Sequence, residues 1–323
     1  MNASADAAGG GRPAPPAGVA LVGPTASGKS AVAFRVASAS PGVELVSVDS
    51  MAVYRGMDIG TDKPPAEVRR QVRYHMLDLV PASEEFSVAR FQRAATAALA
   101  DIGQRGSLPV LVGGTGLHLR AVVDGLALPG RYPAVAAELD ASLDDAECQG
   151  HGTAALAGLH ARLAELDPVA AGRIAPSNRR RIVRALEVTL GSGRPFSTYG
   201  PGLERYPPTP VAMVGITTDG AELERRIEER VGAHLSAGFL GEVEGLLAAP
   251  GGLSRTARQA VGYRELLAHL EGEVSLDEAV GEIIRRTRTL AKRQRAWFGR
   301  DPRIVWVDRA DVVDAVLEVS GAT

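Results

Sequence analysis

GPTASGKS, from Gly23 to Ser30, is the strongest motif in this sequence. It matches the pattern G-x-x-x-x-G-K-[ST] at every fixed position, between the apolar run VALVG and the helically spaced SAVAFRVASA. Glycines let backbone N–H groups converge on phosphate oxygens, a lysine adds a mobile positive charge, and a final hydroxyl reaches Mg²⁺. The pattern therefore predicts an oligophosphate site formed by Gly23, Pro24, Thr25, Ala26, Ser27, Gly28, Lys29 and Ser30.

Downstream of this loop, short apolar runs alternate with helically spaced segments. Strands are expected at VELVSVDS (43–50), HMLDLV (75–80), LPVLVGGTG (108–116), PVAMVGITTD (210–219) and RIVWVD (303–308). Long helices are expected over 86–106, 221–249, 254–270 and 276–300. Strands that alternate with helices behind such a loop predict an α/β fold, a P-loop NTPase-like parallel sheet with helices on both faces.

Composition divides the chain into three parts. Residues 1–18 are rich in glycine, proline and alanine, which is typical of a disordered tail and not of a signal peptide. Residues 131–200 contain successive helical segments without a convincing strand, so we expect an all-helical insertion domain there. Residues 19–130 and 201–323 would then form the catalytic core.

The overall composition excludes several classes of protein. The net charge is −2, so any nucleic-acid surface must be local. A single cysteine, Cys148, excludes an intramolecular disulfide and fits the reducing cytoplasm. No apolar run reaches the length of a membrane helix. No long apolar face is left unaccounted for, so we expect a monomer.

Two polar positions follow predicted strands and should lie near the loop. Asp49 ends VELVSVD, and the carboxyl ends of parallel strands line the ligand crevice. It could be a metal ligand, a general base or a helix N-cap. Thr115 lies in GGTG, where the glycines could serve a ligand or could form a tight turn that needs a positive φ.

Two basic clusters indicate a local anionic partner. One lies in the insertion, and the other lies in the last long helix with almost no acid between its members. A solvated basic face is the plain alternative. Two such clusters on a chain of net charge −2 favour a phosphate-rich macromolecule. Their members are Arg173, Arg179, Arg180, Arg181 and Arg184, then Arg285, Arg286, Arg288, Lys292, Arg293, Arg295 and Arg300.

Taken in order, these motifs resemble those of bacterial tRNA dimethylallyltransferases, the tRNA isopentenyltransferase family. The resemblance covers about 19–308 and includes GPTASGKS, VDSMAVYRGMDIGTDKP, PVLVGGTGLHLR, RRIVRALEV, QAVGYREL and TRTLAKRQRAW. The first motif is shared with kinases, and the second together with GGTGL and AVGYR is far more specific. The resemblance implies Mg²⁺-dependent transfer of a dimethylallyl group from dimethylallyl diphosphate to N6 of the adenosine 3′-adjacent to the anticodon.

The resemblance also implies roles for individual residues. Asp49 would be the general base, and Thr25, Lys29 and Arg230 would act at the diphosphate, with Ser30 at the metal ion. The helical insertion would close on the anticodon stem-loop of the tRNA. Residues against the tRNA would be Asp49, Ser50, Met51, Ala52, Thr115, Arg179, Arg180, Arg181, Arg184, Gln259, Gly262, Tyr263 and Arg264.

The sequence departs from the family pattern at three places. The segment 174–181 reads IAPSNRRR where the family tends to carry H-P-N-D-x-x-R, and two single positions bear on recognition of the anticodon loop. Ala52 stands where the family usually has Gln after D-S-M, and His118 stands where it usually has Tyr after G-G-T-G-L. The catalytic set that the resemblance implies is intact.

Three other functions are compatible with the loop. A small-molecule P-loop kinase would bind ATP and phosphorylate its substrate without tRNA. A prenyltransferase for free adenine nucleotides would need neither the insertion nor the basic helix. An RNA-binding ATPase-like switch would leave Asp49 and Arg230 without a purpose. ATP consumption and tRNA dependence distinguish these possibilities.

Overall fold

The computed structural model describes residues 17–200 and 202–320. The tail predicted over residues 1–18 therefore lies outside the described residues, apart from its last two positions. The chain divides into two compact units. One comprises Asp124–Pro207, and the other comprises the chain before and after it.

The larger unit is built on a six-stranded sheet of order β4-β2-β6-β1-β7-β8, with β3 and β5 paired separately. Every pairing between these strands is parallel. The α/β fold class is thereby confirmed. The strands are β1 (Gly18–Val22), β2 (Val43–Ser47), β3 (Tyr54–Arg55), β4 (Tyr74–His75), β5 (Val80–Pro81), β6 (Leu108–Gly113), β7 (Val211–Thr217) and β8 (Ile304–Asp308).

Helices cover both faces of this sheet. Alternate residues of each strand point to opposite faces, and both faces carry apolar side chains that the helices bury. In β1, Ala20 and Val22 enter one core with α3, α4, α10, α12 and α13, whereas Val19 and Leu21 enter another with α1 and α14. The helices are α1 (Lys29–Ala39), α2 (Ala66–Gln71), α3 (Val88–Gln104), α4 (Gly116–Val123), α5 (Pro133–Cys148), α6 (Gly152–Leu166), α7 (Pro168–Arg173), α8 (Arg179–Ser192), α9 (Gly220–Ser236), α10 (Phe239–Ala248), α11 (Arg255–Arg258), α12 (Tyr263–Leu270), α13 (Leu276–Phe298) and α14 (Val312–Ser320).

Three predicted elements differ from the structure. The strand expected over 75–80 is interrupted, because Met76 and Asp78 adopt φ values of 65° and 56°. The helix expected over 221–249 divides into α9 and α10 at Gly238, whose φ is 96°. The helix expected over 254–270 divides into α11 and α12, and Gly262 (φ 95°) directly precedes α12. Left-handed backbone ends regular structure at each of these breaks.

The smaller unit, Asp124–Pro207, consists of α5 to α8 and a short 3₁₀ helix, Phe196–Tyr199. No strand occurs in its described residues, 124–200 and 202–207. Its core contains Leu163, Ile182 and Leu186, all fully buried. The unit extends beyond both ends of the range 131–200 that composition predicts.

Within the described residues, no helix is both long and apolar enough to cross a membrane.

Candidate functional site

The candidate site lies at the carboxyl edge of the parallel sheet, where ligands bind in open α/β folds. The loop from Gly23 to Ser30, which we call the phosphate-type loop, follows β1. Asp49 follows β2, and Thr115 follows β6. The register pairs Val22 with Gly113 and with Gly215, so β1 and β6 end level with each other and β7 continues two residues further. The fold thus brings residues distant in sequence to one edge.

The backbone of the loop turns in a way that leaves amides free at the start of α1. Gly28 precedes α1 with a φ of 91°, and Ala26 also has a positive φ of 60°. No side chain of the described residues caps the N-terminus of α1. Unpaired N–H groups and the positive end of the helix dipole together suit an anion.

Side chains from three parts of the chain hold this loop. The Lys29 Nζ donates to the Pro24 carbonyl at 2.6 Å, and the Thr25 N–H donates to the Gln294 Oε1 at 2.7 Å. Arg230 Nη1 donates to the Thr25 Oγ1 at 2.9 Å. The predicted groups Thr25, Lys29 and Arg230 therefore lie together around one loop.

Asp62 links Arg230 to a histidine beside the loop. Its Oδ2 lies 3.7 Å from Arg230 Nη1, and its Oδ1 lies 3.4 Å from His234 Nε2. The hydrogen bond from His234 and the charge of Arg230 hold the pKa of the Asp62 carboxyl below its usual value, although burial opposes the shift. Asp62 is therefore an anionic partner that orients Arg230.

A cavity of about 520 Å³ lies against the loop. Cationic side chains outnumber acidic ones in its wall, so it is suited to a polyanion. Its lining is Ala26, Gly28, Lys29, Ser30, Ala31, Asp62, Arg225, Arg226, Glu229, Arg230 and Arg309.

Lys29 has an unusual acidity for a lysine. Burial is the largest cause that lowers the pKa of its ammonium group to about 7, and the charge of Arg230 lowers it further. The carboxylates of Asp49 and Asp62 oppose this shift. An anion bound at the loop would favour the charged ammonium and raise its pKa again.

The affinity of the loop for pyrophosphate is therefore expected to fall between about pH 6 and about pH 9 more steeply in the wild type than in Lys29→Arg. Above its free pKa of about 7, Lys29 must take up a proton when the anion binds. An arginine at this position stays charged throughout, so the variant corrects for titration of pyrophosphate itself. Isothermal titration calorimetry measures both affinities, and equal slopes would contradict a lysine pKa near neutrality.

Asp49 is half-buried and accepts a hydrogen bond at Oδ1 from the Met51 N–H at 2.7 Å. The buried His118 is close enough to be influenced by the charge of Asp49. Burial lowers the pKa of the His118 imidazole to about 4, so it is neutral at pH 7. Its Nδ1 has no hydrogen-bond partner among the described residues, and its ring meets the edge of Phe91 with centroids 4.7 Å apart.

Two of the three glycines of GGTG serve close packing. A Cβ on Gly113 would lie 2.1 Å from the Val48 carbonyl oxygen, and one on Gly116 would lie 2.1 Å from the Trp297 ring. Neither glycine has a positive φ, which excludes the tight-turn explanation for both. Thr115, between them, is half-buried, and its carbonyl accepts from the Leu119 N–H of α4.

Gly113→Ala is expected to destabilise the fold by about 1–3 kcal/mol or more, because the new methyl group meets backbone that cannot rotate away. Gly103→Ala is the matched control, since Gly103 lies in α3 and a Cβ added there would have nothing within 4 Å. Urea unfolding measures both. Equal midpoints for Gly113→Ala and the wild type would show that β2 and β6 can separate freely.

The residues predicted to contact tRNA fall into two groups. Ser50 and Met51 are half-buried beside Asp49, and Gln259 is exposed. Ala52 and Tyr263 are 3% and 0% exposed and pack in the core, so their side chains do not reach a surface. Gly262 is also buried, and Arg264 pairs with Glu265 at 3.2 Å.

The basic clusters carry less free charge than their sequence indicates. Arg179 pairs with three acids of α5, and Arg184 pairs with Glu187 at 2.8 Å, whereas Arg180 and Arg181 are exposed. In α13, the basic residues pair with Glu282 of the same helix and with acids of α9 and α12. The paired residues there are Arg285 with Glu282, Arg286 with Glu282 and Glu265, and Arg288 with Glu228.

Sequence reasoning did not assign several residues that shape this edge. Asp62 and Gln294 lie within motifs quoted above, but their spacing predicts no role. Glu242 accepts from the N–H groups of Asp58, Ile59 and Gly60 and from the Tyr263 hydroxyl, so it fixes the segment that carries Asp62. These contacts join segments far apart in the chain, which no local pattern encodes.

The fold and the site define a parallel α/β protein whose loop is arranged for an oligophosphate beside a carboxylate and two cations. Residues 52–301 match the family model described as IPP transferase, and the chain belongs to that family. It is 47% identical over 302 residues to a tRNA dimethylallyltransferase of Geobacter metallireducens, covering 93% of this chain and 94% of the relative. For the tRNA dimethylallyltransferase of Acidothermus cellulolyticus the identity is 48% over 307 residues, covering 94% and 92%.

Solved structures agree with this family. The full-length tRNA isopentenylpyrophosphate transferase of Bacillus halodurans is similar with a TM-score of 0.66 at 36% identity, covering 94% of this chain and 95% of that one. A eukaryotic dimethylallyltransferase acting on tRNA has the same fold, with a TM-score of 0.72 at 23% identity, covering 94% and 77%.

Proposed function

We propose that this chain is a tRNA dimethylallyltransferase. It transfers the dimethylallyl group of dimethylallyl diphosphate to N6 of the adenosine 3′-adjacent to the anticodon and releases diphosphate. The observation that carries the proposal is the placement of Asp49 at the same sheet edge as the loop held by Lys29 and Arg230. Relatives with the name tRNA dimethylallyltransferase match nearly the whole chain.

The chemistry assigns one task to each charged group. The bond between C1 of the dimethylallyl group and the diphosphate oxygen breaks, and the bond between C1 and N6 forms. Asp49 accepts the proton that leaves N6, and the electron pair of the broken bond stays with the diphosphate. Lys29, Arg230 and the loop amides stabilise the negative charge that develops there. The loop thus holds a leaving group, and no phosphoryl group moves.

The residues around the cavity fit a magnesium ion. The Ser30 hydroxyl and the Asp62 carboxylate line one cavity, and Mg²⁺ takes oxygen ligands from one or two protein groups, water and substrate phosphates. No cluster of three or more His, Cys, Asp or Glu side chains that could hold a metal occurs in residues 17–200 and 202–320. Ser30 and Asp62 would hold Mg²⁺ together with the diphosphate, where it would add positive charge.

The acceptor is proposed to be the anticodon stem-loop. A stacked base cannot reach a carbon electrophile inside a protein, so the adenine must be extruded, and an unpaired loop base costs the least. Ser50, Met51 and Thr115, beside Asp49, would receive it. The exposed Arg180, Arg181 and Gln259 would contact the phosphates. The chain is proposed to act as a monomer in the cytoplasm.

The experiment that tests this function is nucleoside mass analysis of unmodified tRNA. The purified chain is incubated with the tRNA, Mg²⁺ and dimethylallyl diphosphate, and a parallel sample receives ATP instead. A prenylated adenosine that forms only with dimethylallyl diphosphate supports the proposal. ATP hydrolysis or transfer without a prenylated adenosine would instead favour a kinase, and prenylation of free adenine nucleotides would reassign the acceptor.

A further inference from the structure

An additional arginine reaches the phosphate-type loop from the far end of the chain. Arg309 directly follows β8, the outermost strand of the sheet. The register pairs Asp308 with Thr217 at the end of β7, so Arg309 lies at the same carboxyl edge as the loop. It lies beyond residues 52–301, the range that the family model matches, and outside every motif of the sequence analysis.

The guanidinium of Arg309 covers the loop at Gly28. Its Nε, Nη2 and Cζ lie 3.1, 3.3 and 3.4 Å from the position that a Cβ on Gly28 would occupy. A methyl group at position 28 would therefore require this guanidinium to shift by a few tenths of an ångström, in addition to straining a backbone with φ of 91°. The guanidinium of Arg309 thus lies in close contact with the loop at Gly28.

Two other arginines in the same cavity wall have acidic partners, whereas Arg309 has none among the described residues. Arg225 pairs with Glu222 and Glu229, and Arg226 pairs with Glu222. Arg309 is exposed and makes no ion pair among the described residues. Its five N–H donors are therefore available to a ligand, and the fork of a guanidinium matches two oxygens of a phosphate group.

We propose that Arg309 is a diphosphate-binding residue that clamps the substrate from the β8 side of the loop. This inference rests on the proposed function and extends it. Lys29 and the α1 amides approach the diphosphate from one side, Arg230 from α9, and Arg309 from the turn after β8. We expect this contact to form with the bound substrate and to persist in the transition state, so Arg309 contributes mainly to binding.

Arg309→Ala is expected to weaken pyrophosphate binding about tenfold and to raise KM for dimethylallyl diphosphate similarly, with kcat within about twofold of the wild type. Arg309→Lys is expected to recover part of the loss, since it keeps the charge and loses the fork. Arg70→Ala is the matched control, because Arg70 is also exposed and makes no ion pair among the described residues, but it lies in α2 and precedes β4, at the opposite edge of the sheet. It is expected to bind pyrophosphate as the wild type does.

Isothermal titration calorimetry with pyrophosphate and steady-state prenylation of tRNA measure these effects. Unchanged pyrophosphate affinity in Arg309→Ala overturns the inference, and so does tighter binding, which would show that the guanidinium obstructs the site. If the wild type prenylates tRNA while Arg309→Ala keeps its KM, only the inference about Arg309 fails. If the wild type binds neither pyrophosphate nor dimethylallyl diphosphate, the proposed function fails with it.

Discussion

Asp49→Asn is expected to lower the rate of prenyl transfer by about 10²–10⁴-fold, the usual contribution of a general base. The amide keeps the shape of the carboxylate, and its oxygen can still accept the hydrogen bond that the Met51 N–H now donates to Oδ1. What it loses is the capacity to take the proton from N6 of the adenine. The affinity for tRNA should therefore change little, since an anion at this position attracts no phosphate.

Single-turnover rates and tRNA filter binding separate these two effects. Asp219→Asn is a suitable control, because Asp219 lies at the same sheet edge, after β7. It caps α9 by accepting from the Ala221 and Glu222 amides, and asparagine caps a helix equally well. Transfer by Asp49→Asn at nearly the wild-type rate would exclude Asp49 as the base; the helix-cap alternative is already wrong, because no helix begins between β2 and β3.

The phosphate-type loop is the part of the site that the sequence predicts best. Its glycines and its lysine act within a few residues, so a short pattern contains most of the geometry. Even here the sequence does not predict that Ala26 adopts a positive φ of 60°, because this conformation is usually adopted by glycine. The direct contact between Thr25 and Arg230, by contrast, could be expected only from the family resemblance, because 205 positions separate the two residues.

The GGTG segment shows that a motif can carry a packing constraint that its sequence does not indicate. Its glycines invite two explanations from the sequence, a ligand contact or a turn with positive φ. The structure supports a third, since Gly113 faces the backbone of Val48 and Gly116 faces Trp297. Trp297 lies in α13, near the end of the described chain, and its approach to α4 depends on how the whole sheet is covered.

The basic helix illustrates a related difficulty. Counting arginines over residues 285–300 suggests an uninterrupted positive face, because the intervening sequence contains almost no acid. Glu228 comes from α9 and Glu265 from α12, and both pair with arginines of α13. Charge on a helix is a property of its neighbours as well as of its own sequence, and exposed pairs of this kind contribute little to stability.

Arg230→Ala is expected to lower kcat by about 10²–10³-fold, the usual loss when one donor to a developing oxyanion is removed. Arg230 donates to Thr25 Oγ1 inside the loop and is oriented by Asp62, so its guanidinium is held where the leaving oxygen becomes charged. Arg230→Lys should recover only part of the rate. Arg226→Ala is the control on the same helix, because Glu222 already neutralises Arg226.

The two arginines are expected to differ in which kinetic constant they change. Arg230→Ala should act mainly on kcat, whereas Arg309→Ala should act mainly on KM, and the opposite division would mean that their roles are exchanged.

A further measurement tests the electrostatics directly. The charge of Arg230 is the second cause of the low pKa of Lys29, so its removal should raise that pKa. The pH dependence of pyrophosphate affinity should then begin at a higher pH in Arg230→Ala than in the wild type. An unshifted dependence would show that burial alone determines the acidity of Lys29, and that Arg230 acts on the leaving group without tuning its neighbour.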